Sequence, residues 1–409
     1  MTRGRILALI QAGGKGSRMD VLTRESPKPV LPFAGEFRLI DFPLSNLRNS
    51  DIDDVWLSVQ YQALAVANAV GNGKPWDLDR HSGGFRLLMP QQGGGSSLDD
   101  GFVRGNAEEL LQSRDLFRRH GCEFLVVMSS DHVYRLDFAK VVQEHIERGA
   151  ECTMVTTEVD LAEATNHATV TTDDTGRVTD FAYKPSEPST GTISTEVFVY
   201  TAEVLIEVLE QLQRELFGTR DSDPSASLGD FGDYLIPAMV DRGKVYATPQ
   251  PGYWCDLGRP ETYVLAHRDL LHTDVDLFEA DWPISTNTPQ RVPARLRGDA
   301  HVSESLISGG CHIEGRVSNS VLGPGVVVAE GAEIRDSIVF ADVVVGAGAT
   351  LDWAILDTGV RVEADAVVGG ANPDNEVSEE RLTLIGRDCH IVSGSTVPAG
   401  SRLEPGSSS

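Results

Sequence analysis

Three glycines and a lysine lie close together in the segment Gln11–Met19, a composition suited to binding phosphate. Glycines let the backbone approach a phosphate group closely, and the amide N–H groups of such a turn attract its charge. The segment lacks both the Rossmann fingerprint and the lysine–serine or lysine–threonine ending of a P-loop. We therefore predict a phosphate-binding turn of another type. Its candidate residues are Gly13, Gly14, Lys15 and Gly16.

Basic residues cluster around this turn although the chain as a whole is acidic. The net charge of the 409 residues is −26, which opposes binding to DNA, RNA or an anionic membrane surface. Residues 1–50 nevertheless hold eight lysines and arginines against four acids, a net charge of +4. A basic island in an acidic protein indicates a site for a small polyanion.

Two aspartates stand where a cation could be held. Asp131 follows the apolar run Phe124–Met128 and so lies beyond the carboxyl end of a predicted strand, where α/β proteins bind ligands. Asp256 lies in the segment Tyr253–Gly258. Mg²⁺ prefers a few carboxylates and water, but an isolated aspartate at a strand end is more often a turn residue or a helix cap. The pattern alone leaves both interpretations open.

Short apolar runs alternate with amphipathic stretches over roughly the first two thirds of the chain. Alternation of strand and helix predicts an α/β domain with a doubly wound, mainly parallel sheet. The runs that predict buried strands are Ile6–Ile10, Val55–Val59, Phe124–Met128 and Cys152–Thr156. The stretches with apolar residues at helical spacing include Ala107–Arg119 and Phe138–Arg148.

A 17-residue repeat dominates the C-terminal third. The segments Asn319–Leu322, Asp336–Val339 and Trp353–Leu356 recur at this period, and aliphatic residues are spaced six apart within it. Each six-residue unit supplies one short strand and one corner, and three units make a triangular coil with an aliphatic interior. The repeat predicts a left-handed parallel β-helix.

The five cysteines are odd in number and widely spaced, without a metal-ligand or disulfide pattern. They indicate reduced thiols and a cytoplasmic protein. The N-terminus lacks the features of a signal peptide, and we expect no membrane-spanning segment.

The glycine-rich turn is followed by Leu22–Thr23 and then by Ser26–Pro29. This composite resembles the signature of the sugar nucleotidyltransferases. Further matches follow in order along the chain, and they are similar to the bacterial ADP-glucose pyrophosphorylase family, of which the chain would be a divergent member. These matches are Phe37–Asn46, Gln60–Gln62, Pro90–Gln92, Arg104–Ala107, Ser130–Tyr134, Lys184–Pro185, Tyr253–Gly258 and Trp282–Ile284.

The resemblance implies a role for each matched residue. Arg18 and Lys28 would contact the triphosphate, Asp131 and Asp256 would bind Mg²⁺, and Lys184 would bind the sugar phosphate. These five residues form the predicted catalytic set. The turn glycines with Lys15, together with Gln92 and Gly105, would bind the nucleotide. The histidines, His132 among them, are interpreted as ordinary structural or surface residues.

The predicted sugar pocket departs from the family pattern. Val103 stands where the family has tyrosine, Ala168 where it has glycine, and Tyr183 where it has the glutamate before the phosphate-binding lysine. Ser194 begins the segment in which Glu196 replaces glycine. Because hydrogen-bonding groups discriminate strongly between substrates, Glu196 would favour an amino sugar such as glucosamine-1-phosphate. The preferred sugar therefore stays open.

The resemblance implies an enzyme that forms an ADP-sugar, ADP-glucose in the first place, and pyrophosphate from ATP and a sugar-1-phosphate, for glycogen or related α-glucan synthesis. The alternatives are another sugar, another nucleoside triphosphate, or a non-catalytic regulatory subunit. The expected domains are a catalytic domain at 1–275, a linker at 276–297, a β-helix at 298–405 and a disordered tail at 406–409. A homotetramer is expected by family analogy, and a hetero-oligomer is the other possibility.

Overall fold

The computed structural model describes residues 5–14, 16–89, 105–218, 227–273, 275, 277–372 and 377–409. Three residues of the predicted site, Lys15, Gln92 and Val103, lie outside these ranges. In the described part of the chain, no helix combines the length and the apolar character needed to span a bilayer.

An α/β sheet occupies the N-terminal two thirds. Its strands and the small ladders beside it are β1 Ile6–Ala12, β2 Pro32–Phe33, β3 Phe37–Arg38, β4 Asp54–Val59, β5 Gly84–Leu88, β6 Phe124–Ser129, β7 His132–Tyr134, β8 Cys152–Glu158, β9 Ala168–Thr172, β10 Val178–Tyr183, β11 Thr192–Thr201, β12 Val245–Pro249 and β13 Trp254–Asp256. The α-helices are α1 Asp41–Asn49, α2 Ala63–Val70, α3 Asn106–His120, α4 Phe138–Arg148, α5 Leu161–Ala164, α6 Ala202–Phe217, α7 Ile236–Asp241 and α8 Pro260–His272. Short 3₁₀ helices span Ser17–Thr23, Lys28–Val30 and Lys74–Trp76, and one π-helical turn spans Phe231–Leu235.

The doubly wound, mainly parallel sheet predicted from the apolar runs is confirmed. Strands β6, β1, β4 and β5 are neighbours and run parallel, while β11 pairs antiparallel with both β6 and β8. Two apolar clusters cover the two faces of the sheet: α3 and α6 pack on one, and α1, α2 and α4 on the other. The four predicted strands are all present, one or two residues longer than their apolar runs.

The C-terminal third is the predicted left-handed β-helix, built from three parallel six-stranded sheets. Leu322, Val339 and Leu356 pair in adjacent coils, as the 17-residue repeat requires, and all three are buried. The strands are β14 Arg295–Leu296, β15 His301–Ser303, β16 Leu306–Ile307, β17 His312–Ile313, β18 Arg316–Ser318, β19 Val321–Leu322, β20 Val327–Val328, β21 Glu333–Arg335, β22 Ile338–Val339, β23 Val344–Val345, β24 Thr350–Asp352, β25 Ala354–Leu356, β26 Arg361–Val362, β27 Val367–Gly369, β28 Thr383–Ile385, β29 His390–Ile391, β30 Thr396–Val397 and β31 Arg402–Leu403.

A further apolar cluster joins the β-helix to the sheet domain. Met19 and Leu22, next to the glycine-rich turn, belong to the same buried cluster as Phe340, Ile355 and Leu384 of the β-helix. Burial of apolar area is the main favourable term in such contacts. The β-helix therefore packs against the 3₁₀ helix that follows the predicted phosphate-binding turn.

Polar contacts at the rim of this interface act on the same short segment. Arg24 donates two hydrogen bonds, of 3.2 and 3.1 Å, to the carboxylate of Glu404. Arg387 Nη2 donates to Ser26 Oγ at 2.9 Å, two residues before Lys28. The β-helix thus anchors the segment that carries the predicted catalytic lysine.

The structure differs from the expected boundaries at both ends of the β-helix. Strand β14 at Arg295–Leu296, inside the expected linker, already pairs with β17. The expected disorder of residues 406–409 is wrong, because His390 N donates to Ser407 O at 2.8 Å and Ser409 N donates to His390 O at 3.1 Å. The tail continues the parallel ladder of the last coil and so satisfies backbone groups that the coil would otherwise leave open.

Asp41, at the start of α1, gives a test of the fold's pH dependence. Burial raises its pKa to about 7, although hydrogen bonds from Thr286 and from the backbone of Arg38 lower it. The pKa of Asp41 is higher in the folded protein than in the unfolded chain. The free energy of unfolding therefore falls by roughly 4 kcal/mol as pH rises from about 4 to 7 and the carboxyl ionises. We expect Asp41→Asn to resist urea better than the unchanged protein at pH 8, and this gain to shrink by more than half at pH 5. Equal stability of the two proteins at both pH values, with exposed Asp79→Asn as the control, would contradict this account.

Candidate active site

The glycine-rich turn leads from β1 into the 3₁₀ helix Ser17–Thr23. Gly16 has a left-handed backbone, with φ of 64°, and a Cβ there would lie 3.1 Å from the Cβ of Lys28. Thr23 Oγ1 donates to Gly16 O at 2.9 Å and closes the turn. Glycine is required at this position because of both the backbone angle and the close approach of Lys28.

A buried carboxyl lies beneath this turn. A Cβ on Gly13 would lie 3.1 Å from Gln60 Nε2, and that amide group donates to Glu109 Oε2 at 3.5 Å. Burial raises the pKa of Glu109, although hydrogen bonds from Ser58, Gln11 and Gln60 lower it. These polar side chains come from the ends of β1 and β4 and the first turn of α3, so they fix the turn to the sheet.

A two-stranded ladder brings the two predicted metal-binding aspartates together. Strands β7 and β13 are antiparallel, and Asp256 stands opposite His132 in their register. Asp131 directly precedes His132 and receives a short hydrogen bond from Ser129 Oγ. Residues 125 positions apart in the chain therefore meet because of this ladder.

Lys28 completes the cluster. Its Nζ lies 2.5 Å from Asp131 Oδ2 and 3.4 Å from Asp256 Oδ1, and its side chain is only 10% exposed. Burial alone would lower the pKa of Lys28, but the two carboxylates outweigh burial and raise it. Burial alone would also raise the pKa of Asp131, whereas the charge of Lys28 holds it well below its usual range. Lys28 and Asp131 are therefore charged together.

The donor set fits a divalent cation. One ligand atom from each of Asp131, His132 and Asp256 lies within 4.8 Å of the others. A Cβ on Gly258 would lie 3.2 Å from Asp256 Oδ1, so glycine keeps open the space beside that carboxylate. Carboxylate oxygens are the preferred ligands of hard divalent cations.

Two of the predicted sugar residues, Glu196 and Lys184, lie near the predicted metal-binding aspartates or near each other. Glu196 has φ of 57° at a register shift in β11. Burial raises its pKa, and the carboxylates of Asp131 and Asp256 raise it further while Lys184 lowers it. Lys184 is exposed, with Nζ 4.8 Å from the centre of the Tyr183 ring. Glu196 therefore lies within electrostatic reach of Lys184 and of the carboxylate pair.

The remaining predicted residues are less closely associated with the cluster. Arg18 is exposed and makes no ion pair with any carboxylate in the described ranges. Gly105 packs against Gly229, whose carbonyl carbon would lie 2.1 Å from an added Cβ, so this close backbone contact requires glycine at position 105. Ala168 pairs with Tyr183 in the β9–β10 hairpin, and Ser194 Oγ accepts from Glu196 N at 3.3 Å.

The interpretation of His132 as an ordinary structural or surface residue misses its surroundings. The side chain is buried, and its Nε2 lies 3.5 Å from Asp131 Oδ1 and 3.7 Å from Asp256 Oδ1. The one signal in the sequence was its place directly after Asp131. Its contact with Asp256 depends on the β7–β13 register, which the sequence pattern did not reveal.

A family model described as nucleotidyl transferase matches residues 7–273, and one described as GlmU-like, C-terminal hexapeptide, matches residues 290–388. Glucose-1-phosphate adenylyltransferase from Clostridioides difficile is 35% identical, over 82% of this chain and 84% of its own. Proteins of the same name from Clostridium perfringens and Acetivibrio thermocellus are 35% and 36% identical over 83% and 84% of this chain, and over 85% and 78% of their own.

The chain belongs to the glucose-1-phosphate adenylyltransferase family. It is therefore a nucleotidyltransferase, and nucleotidyltransferases of this kind generally use a divalent metal. The resemblance inferred from the glycine-rich turn and the later motifs is confirmed, and the comparisons favour neither another sugar nor a regulatory subunit.

The charge cluster predicts a metal-dependent stability. Lys28→Met removes the counter-charge of two partly buried carboxylates. We expect the free energy of unfolding to fall by roughly 3 kcal/mol, the lower end of the range for breaking a buried ion pair, because Asp131 remains 24% exposed. Millimolar magnesium chloride should restore part of this loss, measured by urea unfolding. Lys140→Met is the matched control, since that side chain is 80% exposed. Equal loss in the two variants, or no recovery with magnesium, would contradict the role of Lys28.

Proposed function

We propose that this protein is a glucose-1-phosphate adenylyltransferase, which forms ADP-glucose and pyrophosphate from ATP and glucose-1-phosphate. The observation that carries the proposal is the cluster of Lys28, Asp131 and Asp256 next to the glycine-rich turn, in a chain of this family. ADP-glucose of this origin would serve glycogen or related α-glucan synthesis.

The proposed reaction is a single displacement. A phosphate oxygen of glucose-1-phosphate attacks the α-phosphorus of ATP, a new P–O bond forms, and the bond to the bridging oxygen of the leaving pyrophosphate breaks. Negative charge spreads over the phosphate oxygens in such a transition state, so positioning and electrostatic stabilisation provide most of the catalysis. No protein nucleophile is required.

We assign a phosphate-binding role to the turn glycines and to each cationic residue of the predicted site. Gly13, Gly14 and Gly16 would offer backbone N–H groups to the nucleotide, and Arg18 and Lys28 would stabilise the charge that develops as pyrophosphate leaves. Lys184 would hold the phosphate of the sugar. A divalent cation bound by Asp131 and Asp256, Mg²⁺ in our proposal, would offset further phosphate charge.

The surroundings of the active site are part of the proposal. Tyr183 OH donates to Asp230 Oδ2 at 3.0 Å, so this side chain faces the π-helical turn. The hydrogen-bonding groups nearest Lys184 on the sugar side would then be those of Ser194 and Glu196.

We also propose the division into a catalytic domain and a β-helix near residue 275, a homotetrameric assembly, and a cytoplasmic location, which five free cysteines support.

Pyrophosphate release with ATP, Mg²⁺ and glucose-1-phosphate tests the function directly. We expect turnover that Asp131→Asn lowers by about a thousandfold or more, since a preorganised charge in the site is lost. The matched control is Asp180→Asn, an exposed aspartate on β10, which should keep full activity. Parallel reactions with glucosamine-1-phosphate and with UTP, GTP and dTTP separate the other substrates. No turnover with any of these pairs would contradict the enzyme and favour a regulatory subunit.

Lys184 provides a test of the sugar-phosphate site. We expect Lys184→Ala to raise the KM for glucose-1-phosphate by about tenfold to a hundredfold, because one charge-assisted contact is lost, and to leave the KM for ATP nearly unchanged. Lys140→Ala, on the exposed face of α4, is the control for loss of a surface lysine. An effect on the KM for ATP alone would move Lys184 to the nucleotide site.

A further inference from the structure

His132 occupies a position that a structural histidine does not need. Only 3% of the residue is exposed, and it begins β7 opposite Asp256. Its Nε2 faces carboxylate oxygens of Asp131 at 3.5 Å and Asp256 at 3.7 Å. A buried imidazole is thus directed at the two groups proposed to hold the cation.

The hydrogen bond on the other ring nitrogen defines what Nε2 can offer. His132 Nδ1 lies 3.1 Å from the carbonyl oxygen of Thr195. A carbonyl oxygen can only accept, so Nδ1 carries the hydrogen and donates it. With the hydrogen on Nδ1, Nε2 is the ring nitrogen left to bind a cation in the space between the aspartates. Histidines that bind metals commonly donate their second ring N–H to a backbone carbonyl in this way.

The spacing of the donor atoms also matches a coordination site. Metal–ligand bonds of about 2.1 Å separate neighbouring ligand atoms by roughly 3.0–3.4 Å in octahedral and tetrahedral arrangements. The separations of 3.5 and 3.7 Å need only a small contraction to reach these values. Lys28 Nζ lies against Asp131 Oδ2, whereas the Oδ1 that faces the imidazole accepts from Ser129 Oγ. Asp256 Oδ1 accepts from Lys28 Nζ at 3.4 Å, so a bound cation would share both oxygens with these donors.

A second histidine lies beside the same tryptophan but is directed at a different carboxylate, that of Glu163. The Trp254 ring meets the edge of His132 at a centroid distance of 5.1 Å and that of His167 at 5.7 Å. His167 Nε2 is directed at Glu163, at 3.1 Å. Burial lowers the pKa of His167, although the charges of Asp256 and Glu163 raise it. His167 is therefore a natural control for His132.

We infer that His132 supplies a nitrogen ligand to the divalent cation held by Asp131 and Asp256, and this rests on the proposed metal-dependent function. A mixed oxygen and nitrogen set has a consequence for metal choice. Imidazole nitrogen is a softer donor than carboxylate or water oxygen, and it suits transition-metal dications better than the hard Mg²⁺. The site should therefore bind Mn²⁺ more tightly than Mg²⁺, and His132 should account for most of the difference.

The experiment is electron spin-echo spectroscopy of the full-length protein loaded with Mn²⁺ alone, without nucleotide or sugar. We expect the unchanged protein to show modulation from a directly bound nitrogen. His132→Asn should abolish this modulation and weaken Mn²⁺ binding by about tenfold to a hundredfold, with a smaller effect on Mg²⁺. His167→Asn should keep both the modulation and the affinity.

A Mn²⁺ spectrum of the unchanged protein without nitrogen coupling overturns the inference, and that result needs no variant to fold. Persistence of the coupling in His132→Asn overturns it as well. The measurement is separate from turnover. Pyrophosphate release without nitrogen coupling would refute the ligand and leave the proposed function standing, whereas coupling without any turnover would support the ligand and contradict the function.

Discussion

The ammonium group of Lys28 between the carboxylates of Asp131 and Asp256 is the interaction on which the site depends. Three partly buried charges are tolerable only together, because each alone would be costly to remove from water. Their contact therefore requires three separate chain segments to be held in register. Such a cluster is suited to binding a polyanion together with its cation. Phosphate can replace the carboxylates as the partner of the lysine, and a metal ion can replace the lysine as the partner of the carboxylates. None of these charges is then left unpaired in a site with little water.

The rest of the structure serves that register. The parallel strands β1, β4 and β6 end at the same edge of the sheet, which places the glycine-rich turn next to Asp131. The β7–β13 ladder adds Asp256. The β-helix packs against the 3₁₀ helix after the turn and contacts Ser26 and Arg24 through Arg387 and Glu404. It is thus structurally linked to the lysine segment rather than a separate appendage.

Local patterns in the sequence predicted most of the fold. The apolar runs located four strands of the nine-stranded sheet, and the 17-residue repeat predicted which aliphatic residues stack, because both depend on regular periodicity. The glycine-rich turn, Lys28 and the two aspartates were found through their motifs. The carboxyl under the turn at Glu109 and the contact of His132 with Asp256 were not predicted, because both depend on tertiary register. The ordered tail was missed because a glycine- and serine-rich end has the composition of disorder even where a ladder continues through it.

The reverse reaction offers the most direct test of the central claim, since a single reversible displacement must run in both directions through the same site. The protein would be incubated with ADP-glucose, pyrophosphate and Mg²⁺, and the phosphorus resonances of the mixture followed over time. The account predicts that ATP and glucose-1-phosphate appear in equal amounts as ADP-glucose disappears. Persistence of ADP-glucose, or its breakdown to AMP without ATP, would contradict it.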